Sequence, residues 1–487
     1  MKHPFKTINA HTDDCFDSKN ENKSTHNQNV PSNFKKTIQK KWMKHLNLVI
    51  TFILFFVLVF NVEAQQPWGL QKCIDYSVEH NIQVKQTKLK AESSKSSLQQ
   101  SRVGIVPDLN ASVQDAFQFG YTVDPFTNDF TNNQIQSLSA SVNSQVTLFN
   151  GLQQANSIRQ NNYTFLADLQ EIEEIKYSIT IQVATSYLQI LFDKELLEVA
   201  KNQYEISKGQ EQRTKILVDA GSLAKGNLLE IQAQLATEEL NKINAENNLR
   251  TAYLDLTQLL ELDTTGAFEI EVPNLADPSD LFVLDSVQRI YRESLDLPQI
   301  KKQEYKLQST EKSLDVAYGG LSPILFLRGS YGTGYSSEGK NIDGTDKPYG
   351  DQFIDNRSLS LVIGVQIPLF NKFTVKNSIS QSKISVDNSR YMLELSKRQL
   401  FKDIQQARNS AESALAKFGA SQKAEEAQLE SFSYTQQKFD LGLVTSVDYN
   451  TAKNQLTKVQ SDKVQAKYDF LFRINILNYY MGIPFKM

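Results

Sequence analysis

The feature that most constrains this chain is an internal repeat. Leu148–Asn150 recurs as Leu369–Asn371, which is a shift of 369 − 148 = 221 residues. The same shift relates Asn156–Ile158 to Asn377–Ile379, Asp219 to Asp440, Gly221 to Gly442, and Gln234–Leu235 to Gln455–Leu456. Independent matches at one offset indicate a tandem duplication, so the sequence predicts two copies of one structural unit.

The first 64 residues have the layout of an export signal. Met43–His45 precedes an apolar run at 46–60, which is shorter than the roughly 20 residues that a membrane-spanning helix requires. We predict a signal peptide at 43–64 that is cleaved after Ala64, with a retained anchor helix as the alternative. Residues 1–42 are polar and precede an alternative start at Met43, so they are interpreted as a dispensable or mispredicted extension.

The composition of the mature chain excludes the common kinds of catalytic and metal site. Beyond residue 64, His80 is the only histidine and Cys73 the only cysteine. These two residues cannot assemble the usual zinc site or catalytic triad, and a lone cysteine forms no internal disulfide. The chain also lacks a P-loop, a zinc-binding helix motif and a nucleophile elbow. We expect no enzyme activity, no cofactor, no metal and, at a formal charge of −3, no nucleic-acid partner.

Cys73 lies too far beyond the apolar run at 46–60 to be a lipid-modified terminus. A buried or half-buried thiol is therefore expected at this position.

Apolar spacing divides each repeat into a helix, two strands and a long helical hairpin. In the first repeat the spacing predicts a helix at 70–102, a strand that alternates from Leu109 to Tyr121, a loop at 122–133 and a strand at 138–148. In the second repeat it predicts a helix at 285–318 interrupted near Pro298, a strand at 324–335, a loop at 336–355 and a strand at 358–369. We expect a first repeat at 65–263, a connecting segment at 264–284 and a second repeat at 285–487.

Each second strand leads into a long segment without proline, at 151–218 and 372–439. At 1.5 Å per residue such a helix is about 100 Å long, far longer than an ordinary globular helix. Its apolar residues recur at a spacing of three or four, which indicates helices packed in coiled-coil fashion. Turns at 219–221 and 440–442 supply glycine at the helix ends, and return helices are predicted at 223–262 and 444–480.

The strands have the length and alternation of a transmembrane β-barrel. Each has about 12 residues, enough to cross a bilayer in a tilted orientation, with one apolar and one polar face. Four strands cannot close around a pore, and an open sheet edge in lipid would leave backbone groups unpaired. Three chains would give 3 × 4 = 12 strands, whereas two would give eight with almost no pore. A soluble protein whose strands cap a coiled-coil stalk is the alternative.

The order of elements resembles that of the TolC-like outer-membrane efflux proteins over nearly all of residues 66–487. The most specific sequences are Val146–Gly151 and Ile367–Asn371 at strand-to-helix junctions, and the turns Val218–Leu223 and Phe439–Val444. The resemblance implies an α+β membrane protein, a homotrimer with a shared 12-stranded barrel in the outer membrane and helical hairpins that form a coiled-coil barrel across the periplasm. Its implied partners are outer-membrane lipid, a periplasmic adaptor protein and an inner-membrane pump.

The resemblance also implies where function resides. The two glycine turns would form the periplasmic tip that docks against the adaptor, with contacts at Gly221, Ser222, Leu223, Gly442, Leu443 and Val444. Family members carry acidic side chains just past the second turn that narrow the closed entrance, and Asp448 falls on one such position. Thr451 replaces the second acid, and Asn227 stands where the first repeat can have one. Asp448 is therefore a candidate entrance gate, with a charge that complements the helix dipole as the alternative.

The function implied by the resemblance is that of the outer-membrane channel of a tripartite efflux system, a passive exit duct for small molecules. Type I protein secretion is the alternative within the same fold. A non-channel periplasmic coiled-coil adaptor or adhesin is the alternative from another class of protein.

Overall fold

A computed structural model describes residues 67–131, 134–262, 268–273, 277–278 and 284–483. The extension at 1–42 and the signal peptide at 43–64 lie outside these residues. No helix in the described ranges combines the length and the apolar character needed to cross a membrane.

The described residues form helices of very unequal length and six strands. The helices are α1 (Leu70–His80), α2 (Ile82–Val103), α3 (Gln153–Asp219), α4 (Lys225–Leu259), α5 (Val287–Ser294), α6 (Pro298–Gly319), α7 (Tyr349–Asp355), α8 (Thr374–Asp440) and α9 (Ser446–Tyr480). The strands are β1 (Asn110–Gln118), β2 (Thr122–Val123), β3 (Phe130–Thr131), β4 (Ile135–Phe149), β5 (Ile324–Ser336) and β6 (Ser358–Gln366).

The four longest helices repeat with the spacing found in the sequence. Helices α3 and α8 have 67 residues each, and α4 and α9 have 35 each. The shift also relates their first residues, since 153 + 221 = 374 and 225 + 221 = 446. Leu152 and Phe373, which precede α3 and α8, share a left-handed backbone with φ of 63° and 61°. The two predicted helical hairpins are therefore confirmed, with ends displaced by a few residues.

The long strands form an antiparallel sheet in the order β1-β4-β5-β6. Its register pairs Ser112 with Ser141 and Asn143 with Ser330, which brings polar side chains of three strands to one face. The opposite face carries exposed apolar side chains at alternate positions, namely Val113, Phe117, Val142, Tyr331, Leu359, Leu361, Ile363 and Val365. The predicted alternation of a polar and an apolar face is confirmed. The long helices join one end of this sheet, and the loops within the two strand pairs, with the short helix α7, lie at the other end.

The helix predicted at 70–102 differs from the structure because it is broken at Asn81. The backbone of Asn81 is extended, with ψ of 133°, and its side chain accepts hydrogen bonds from the N–H groups of Gln83 and Val84. An asparagine that caps the following helix in this way competes with continuation of the preceding one. The prediction of one continuous helix was therefore wrong.

Two strand ends and one loop also differ from the predictions. The first strand ends at Gln118 and not at Tyr121, and β6 ends at Gln366, just before Pro368, which has no N–H to extend a ladder. The loop predicted at 336–355 contains the short helix α7. The Gln352 side chain of this helix donates to the backbone oxygen of Ser336 and accepts from its N–H, at 3.0 and 2.9 Å. This tertiary contact holds a helix that local sequence does not reveal.

The largest buried apolar cluster joins α1, α3 and α4, and it contains Cys73 and Tyr187. The Cys73 side chain is fully buried, and this burial raises the pKa of its thiol to about 12. The prediction of a buried thiol is confirmed. The Tyr187 hydroxyl donates to the backbone oxygens of Glu271 and Trp68, at 2.6 and 3.2 Å, so the segment before α1 is bound to residues 269–271.

Candidate functional site

The two long hairpins reverse direction through the same kind of turn. Gly221 and Gly442 follow α3 and α8 with φ of 75° and 73°. In the first turn, Gly221 N–H donates to the Val218 carbonyl and Ser222 N–H donates to the Leu217 carbonyl, at 2.9 and 2.8 Å. The second turn has the matching bonds, from Gly442 to Phe439 and from Leu443 to Lys438. Both turns are Schellman motifs, in which glycine adopts the left-handed conformation without a steric penalty.

The second turn exposes apolar side chains at positions where the first turn has small or polar residues. Leu441 and Leu443 are 74% and 70% exposed, and Val447 is exposed beside them. We call these three residues the tip patch. The shift of 221 places small or polar residues at the equivalent positions of the first turn, namely Ala220, Ser222 and Gly226. The pseudo-symmetric backbone therefore presents two chemically different tips.

The predicted docking residues all lie in these turns, but their exposure differs. Gly221, Ser222, Gly442 and Leu443 are exposed, whereas Leu223 and Val444 are half-buried. A Cβ atom added to either glycine would meet no neighbouring atom within 4 Å, so the need for glycine at these positions is conformational and not steric.

Asp448 forms a capping box with Thr445 at the start of α9. The Thr445 hydroxyl and N–H donate to Asp448 Oδ2 at 2.7 and 3.0 Å, and Asp448 N–H donates to the Thr445 hydroxyl at 3.2 Å. The hydrogen bond from the Thr445 hydroxyl, reinforced by its N–H, holds the pKa of the Asp448 carboxyl below its usual value. Asp448 is exposed and charged. It caps the N-terminus of α9 and also presents a negative charge to solvent.

Of the other two candidate gate residues, Asn227 of the first hairpin contacts the second hairpin, whereas the hydrogen bond of Thr451 lies within its own helix. The Ser446 hydroxyl lies 3.3 Å from Asn227 Oδ1 and also donates to the Glu230 carboxylate. Thr451 is exposed one turn beyond Asp448, and its hydroxyl donates to the Val447 carbonyl of its own helix at 2.8 Å. The structure therefore brings Asn227 beside the start of α9, where it joins the two hairpins.

A buried lysine forms a second connection between the hairpins. The Lys453 ammonium donates to the Gln203 carbonyl at 2.9 Å and to the Ser207 hydroxyl, and it lies 3.5 Å from the Glu238 carboxylate. Burial lowers the pKa of this ammonium, while the charge of Glu238 and its hydrogen bond oppose that shift. This group connects α9 of the second repeat with both long helices of the first.

Sequence reasoning missed Thr445, Ser446 and the Lys453 cluster for different reasons. The spacing Thr445-x-x-Asp448 is a capping-box signature and could have been recognised. The partners of Lys453 carry no such signal, because Gln203 and Glu238 are distant in the chain and the shift of 221 relates none of these residues to another.

The polar face of the sheet carries a ladder of side-chain hydrogen bonds. Ser112 and Ser141 hydroxyls lie 2.9 Å apart, and Ser330 donates to Asn143 at 2.7 Å. Arg328 Nη2 donates to the Gln145 side chain at 2.9 Å. This face offers hydrogen-bonding groups to water. The opposite face is mainly apolar, but it also carries the exposed Asp115, whose carboxylate accepts from the Gln136 side chain at 3.1 Å.

The described residues contain no group of three or more His, Cys, Asp or Glu side chains placed to hold a metal ion.

A protein-family model described as outer membrane efflux protein matches residues 74–261 and 291–482, one range in each repeat. Outer membrane protein TolC of Vibrio cholerae is 22% identical over 62% of this chain and 67% of its own length. Alkaline protease secretion protein AprF of Pseudomonas aeruginosa is 22% identical over 63% of this chain and 61% of its own length. The chain thus spans about three fifths to two thirds of the length of these relatives.

The fold also has solved counterparts. A crystal structure of CusC, reported in connection with transmembrane channel formation, matches with a TM-score of 0.73. The match covers 86% of this chain and 96% of the CusC chain at 14% sequence identity. At that identity the likeness concerns the fold alone.

Proposed function

The chain belongs to the outer membrane efflux protein family, and we propose that it is the exit duct of a tripartite efflux system. It is an outer-membrane protein with a large periplasmic helical part. In this proposal three copies assemble into one channel, and small molecules pass through it passively. An inner-membrane pump supplies the energy through a periplasmic adaptor.

The observation that carries the proposal is the incomplete four-stranded sheet. Within the described residues, β1 and β6 are its edge strands, and each pairs with a neighbour on one side. An edge in lipid must be paired, because no water is present there to satisfy its N–H and C=O groups. Pairing of β6 in one copy with β1 in the next closes a barrel of 3 × 4 = 12 strands. Its exposed apolar face then contacts lipid and its polar ladder lines the pore.

The two hairpin tips are the proposed adaptor contacts. The tip patch of Leu441, Leu443 and Val447 supplies the apolar surface, and the exposed Gly221 and Ser222 supply the first tip. Asp448 is the proposed gate residue, because three copies around a threefold axis would form an anionic ring that attracts cations. Asn227 and Thr451 contribute polar side chains near the same end of the hairpins.

Type I protein secretion is a second candidate function within the same assembly. It is supported by the likeness to alkaline protease secretion protein AprF, which is as close to this chain as TolC at 22% identity. Both functions use the same trimeric duct, and they differ in the pump and in the cargo.

The molar mass of the detergent-solubilised mature chain tests the proposal. Light scattering, corrected for bound detergent, is expected to give three chains, and the same preparation is expected to conduct ions in a planar bilayer. A monomer that stays soluble without detergent, and that carbonate extracts from membranes, would overturn the channel. It would support a periplasmic coiled-coil adaptor or adhesin instead.

A further inference from the structure

The loops of the two strand pairs fold onto opposite faces of the sheet. In the first strand pair, the loop between β1 and β4 places the Phe126 ring on the polar face, directly over Gly334. A Cβ atom on Gly334 would lie 2.0 Å from Phe126 Cζ, so the ring occupies the space of the missing side chain. Gly334 pairs with Ser139 in the register that sets Asn143 beside Ser330, which assigns its missing side chain to the polar face.

A buried hydrogen-bond cluster holds this loop in place. Asp124 is fully buried, and its Oδ1 accepts hydrogen bonds from the N–H groups of Phe126 and Thr127, each at 2.8 Å. Its Oδ2 accepts a hydrogen bond from the Ser336 hydroxyl, which is also fully buried and lies on the polar face. Burial opposes ionisation of Asp124, but the bonds from Ser336 and from the loop backbone outweigh it and keep the pKa of this carboxyl below its usual value.

The part of the polar face that lies beneath the loop is buried, unlike the rest of that face. Ile135 is an apolar residue on that face and is completely buried, and Ser137 beside it is 8% exposed. Farther from the loop, Ser112 and Gln114 on the same face are exposed. The loop therefore covers one end of the polar face with a small apolar contact and leaves the remainder accessible to water.

The loop of the second strand pair packs on the apolar face instead. Its helix α7 places Tyr349 against Tyr335, with ring centroids 4.8 Å apart, and the Thr333 hydroxyl donates to the Phe353 carbonyl at 2.6 Å. Thr333 and Tyr335 alternate with Gly334 along β5, so they point to the face opposite Phe126. The equivalent loops of the two repeats thus pack on opposite faces of the sheet.

We propose that residues 119–131 form a collar that folds inward over the end of the pore remote from the helices and excludes large solutes arriving from outside. This inference rests on the proposed channel, in which the polar face lines the pore. The Asp124–Ser336 hydrogen bond and the Phe126–Gly334 contact hold the collar inward. Three copies of the collar around the axis narrow the opening of the pore at this end. The second loop packs on the apolar face and leaves this opening unaffected.

Cysteine labelling in intact cells tests the collar. Ser141→Cys places a thiol on the polar face beyond the collar, and Val142→Cys places one on the apolar face, while the native Cys73 is buried. Each variant is treated from outside with a small cationic thiosulfonate or with a polyethylene-glycol maleimide too large to cross the outer membrane. The small reagent should label Ser141→Cys and not Val142→Cys, and the large reagent should label neither.

Release of the collar should admit the large reagent. Asp124→Ala and Phe126→Ala, each added to Ser141→Cys, should raise labelling by the large reagent about tenfold or more, as expected when an open state of roughly 10% or less becomes dominant. Tyr349→Ala in the second loop is the matched control and should leave the rate unchanged. Rates are compared only among variants that reach the outer membrane in equal amounts as assembled protein.

The outcomes separate the collar from the channel. If the large reagent already labels the parent Ser141→Cys protein as fast as the small one, or if neither collar variant changes its rate, the collar is overturned and the channel stands. If the small reagent fails to label Ser141→Cys, or labels Val142→Cys equally well, the polar face is not a water-filled lining and the proposed channel itself is overturned.

Discussion

Lys453 and Glu238 form an ion pair of 3.5 Å in which both side chains are almost fully buried, at 1% and 3% exposure. The pair joins the return helices α9 and α4, which belong to different repeats. Gln234 donates to Glu238 at 2.7 Å and to Asn454 at 3.0 Å, so polar contacts between the hairpins extend around it. A buried pair of this kind costs desolvation energy when it forms, and its removal on one side leaves the other charge without compensation.

Lys453→Met is therefore expected to lower the free energy of unfolding by about 3–5 kcal/mol, because it leaves the Glu238 carboxylate buried without its partner. The double variant Lys453→Met, Glu238→Leu should recover most of that loss. The wild type, the two single variants and the double variant form a double-mutant cycle. Their free energies of unfolding are measured by urea unfolding of the detergent-solubilised protein, followed by circular dichroism. A loss of under about 1 kcal/mol for Lys453→Met alone would show that the pair contributes little.

Asp448→Ala is expected to weaken the block of channel current by multivalent cations, because it removes the anionic ring proposed at the entrance. Thr445→Ala is the matched control, since it breaks the same capping box and costs about 1 kcal/mol while it keeps the charge. Single-channel recordings with a trivalent cation on the periplasmic side compare the two. Unchanged block in Asp448→Ala, or equal weakening in both variants, would leave Asp448 with a capping role alone.

The long helices could be predicted closely because their signal is local and repeated. Both hairpins are predicted without any knowledge of tertiary contacts. The signal is a proline-free segment with regular apolar spacing that ends at Gly221 in the first repeat and at Gly442 in the second. The alternation along β6 likewise determines which of its side chains share a face. The break at Asn81 could not be read in the same way, because an asparagine is also tolerated within a helix and its capping role depends on the adjacent packing.

The turns that form the candidate site could be predicted from the sequence, but their internal contacts could not. The turns and Asp448 lie in the region that the resemblance indicated, and the structure adds that Asp448 pairs with Thr445. The contact between Ser446 and Asn227, and the burial of Lys453, depend on how one hairpin lies against the other. The opposite folding of the two loops is equally invisible, since it depends on the space above Gly334.

Leu443→Ser is expected to weaken adaptor binding by about 10- to 100-fold, which corresponds to the loss of one buried leucine side chain at about 1.5–3 kcal/mol. The substitution should change the free energy of unfolding of the protein little, because the Leu443 side chain is 70% exposed. Leu395→Ser, the same change at an exposed leucine of α8 far from the turn, is the control and should not reduce binding. Surface plasmon resonance with the immobilised adaptor gives both affinities. Equal affinities for the wild type and Leu443→Ser would exclude the tip patch as a contact.

Gly442→Val is expected to abolish export while the protein still reaches the outer membrane. A β-branched residue at φ of 73° costs about 1–3 kcal/mol of local strain, which distorts the turn and the docking surface with it. Gly226→Val is the control, because it introduces the side chain that Val447 already carries in the second repeat. Export of a fluorescent dye from cells, normalised to the amount of protein in the outer membrane, is the measurement. Loss of the protein itself would indicate that Gly442 serves folding alone.

Tyr449 gives the tip a dependence on alkaline pH. Burial of its ring, with the negative charge of Asp440 adding to the effect, raises the pKa of Tyr449 from 10.0 to about 12. The unfolded chain therefore releases this proton at lower pH than the folded chain does, so the contribution to stability is complete below pH 10 and is lost as the pH rises toward 12. Over that interval the free energy of unfolding of the wild type should fall, relative to Tyr449→Phe, by about 1.4 kcal/mol per pH unit.

Urea unfolding of the wild type and Tyr449→Phe across pH 10 to 12 checks this expectation, since phenylalanine keeps the contacts of the ring with Phe432 and Phe439 and removes only the hydroxyl. Tyr434→Phe, at a side chain that is exposed on α8, is the control for the general effect of a lost hydroxyl. Parallel curves for the wild type and Tyr449→Phe over this range would mean that the Tyr449 hydroxyl reaches solvent in the folded protein. The packing of the second tip around Tyr449 would then be looser than the structure has it.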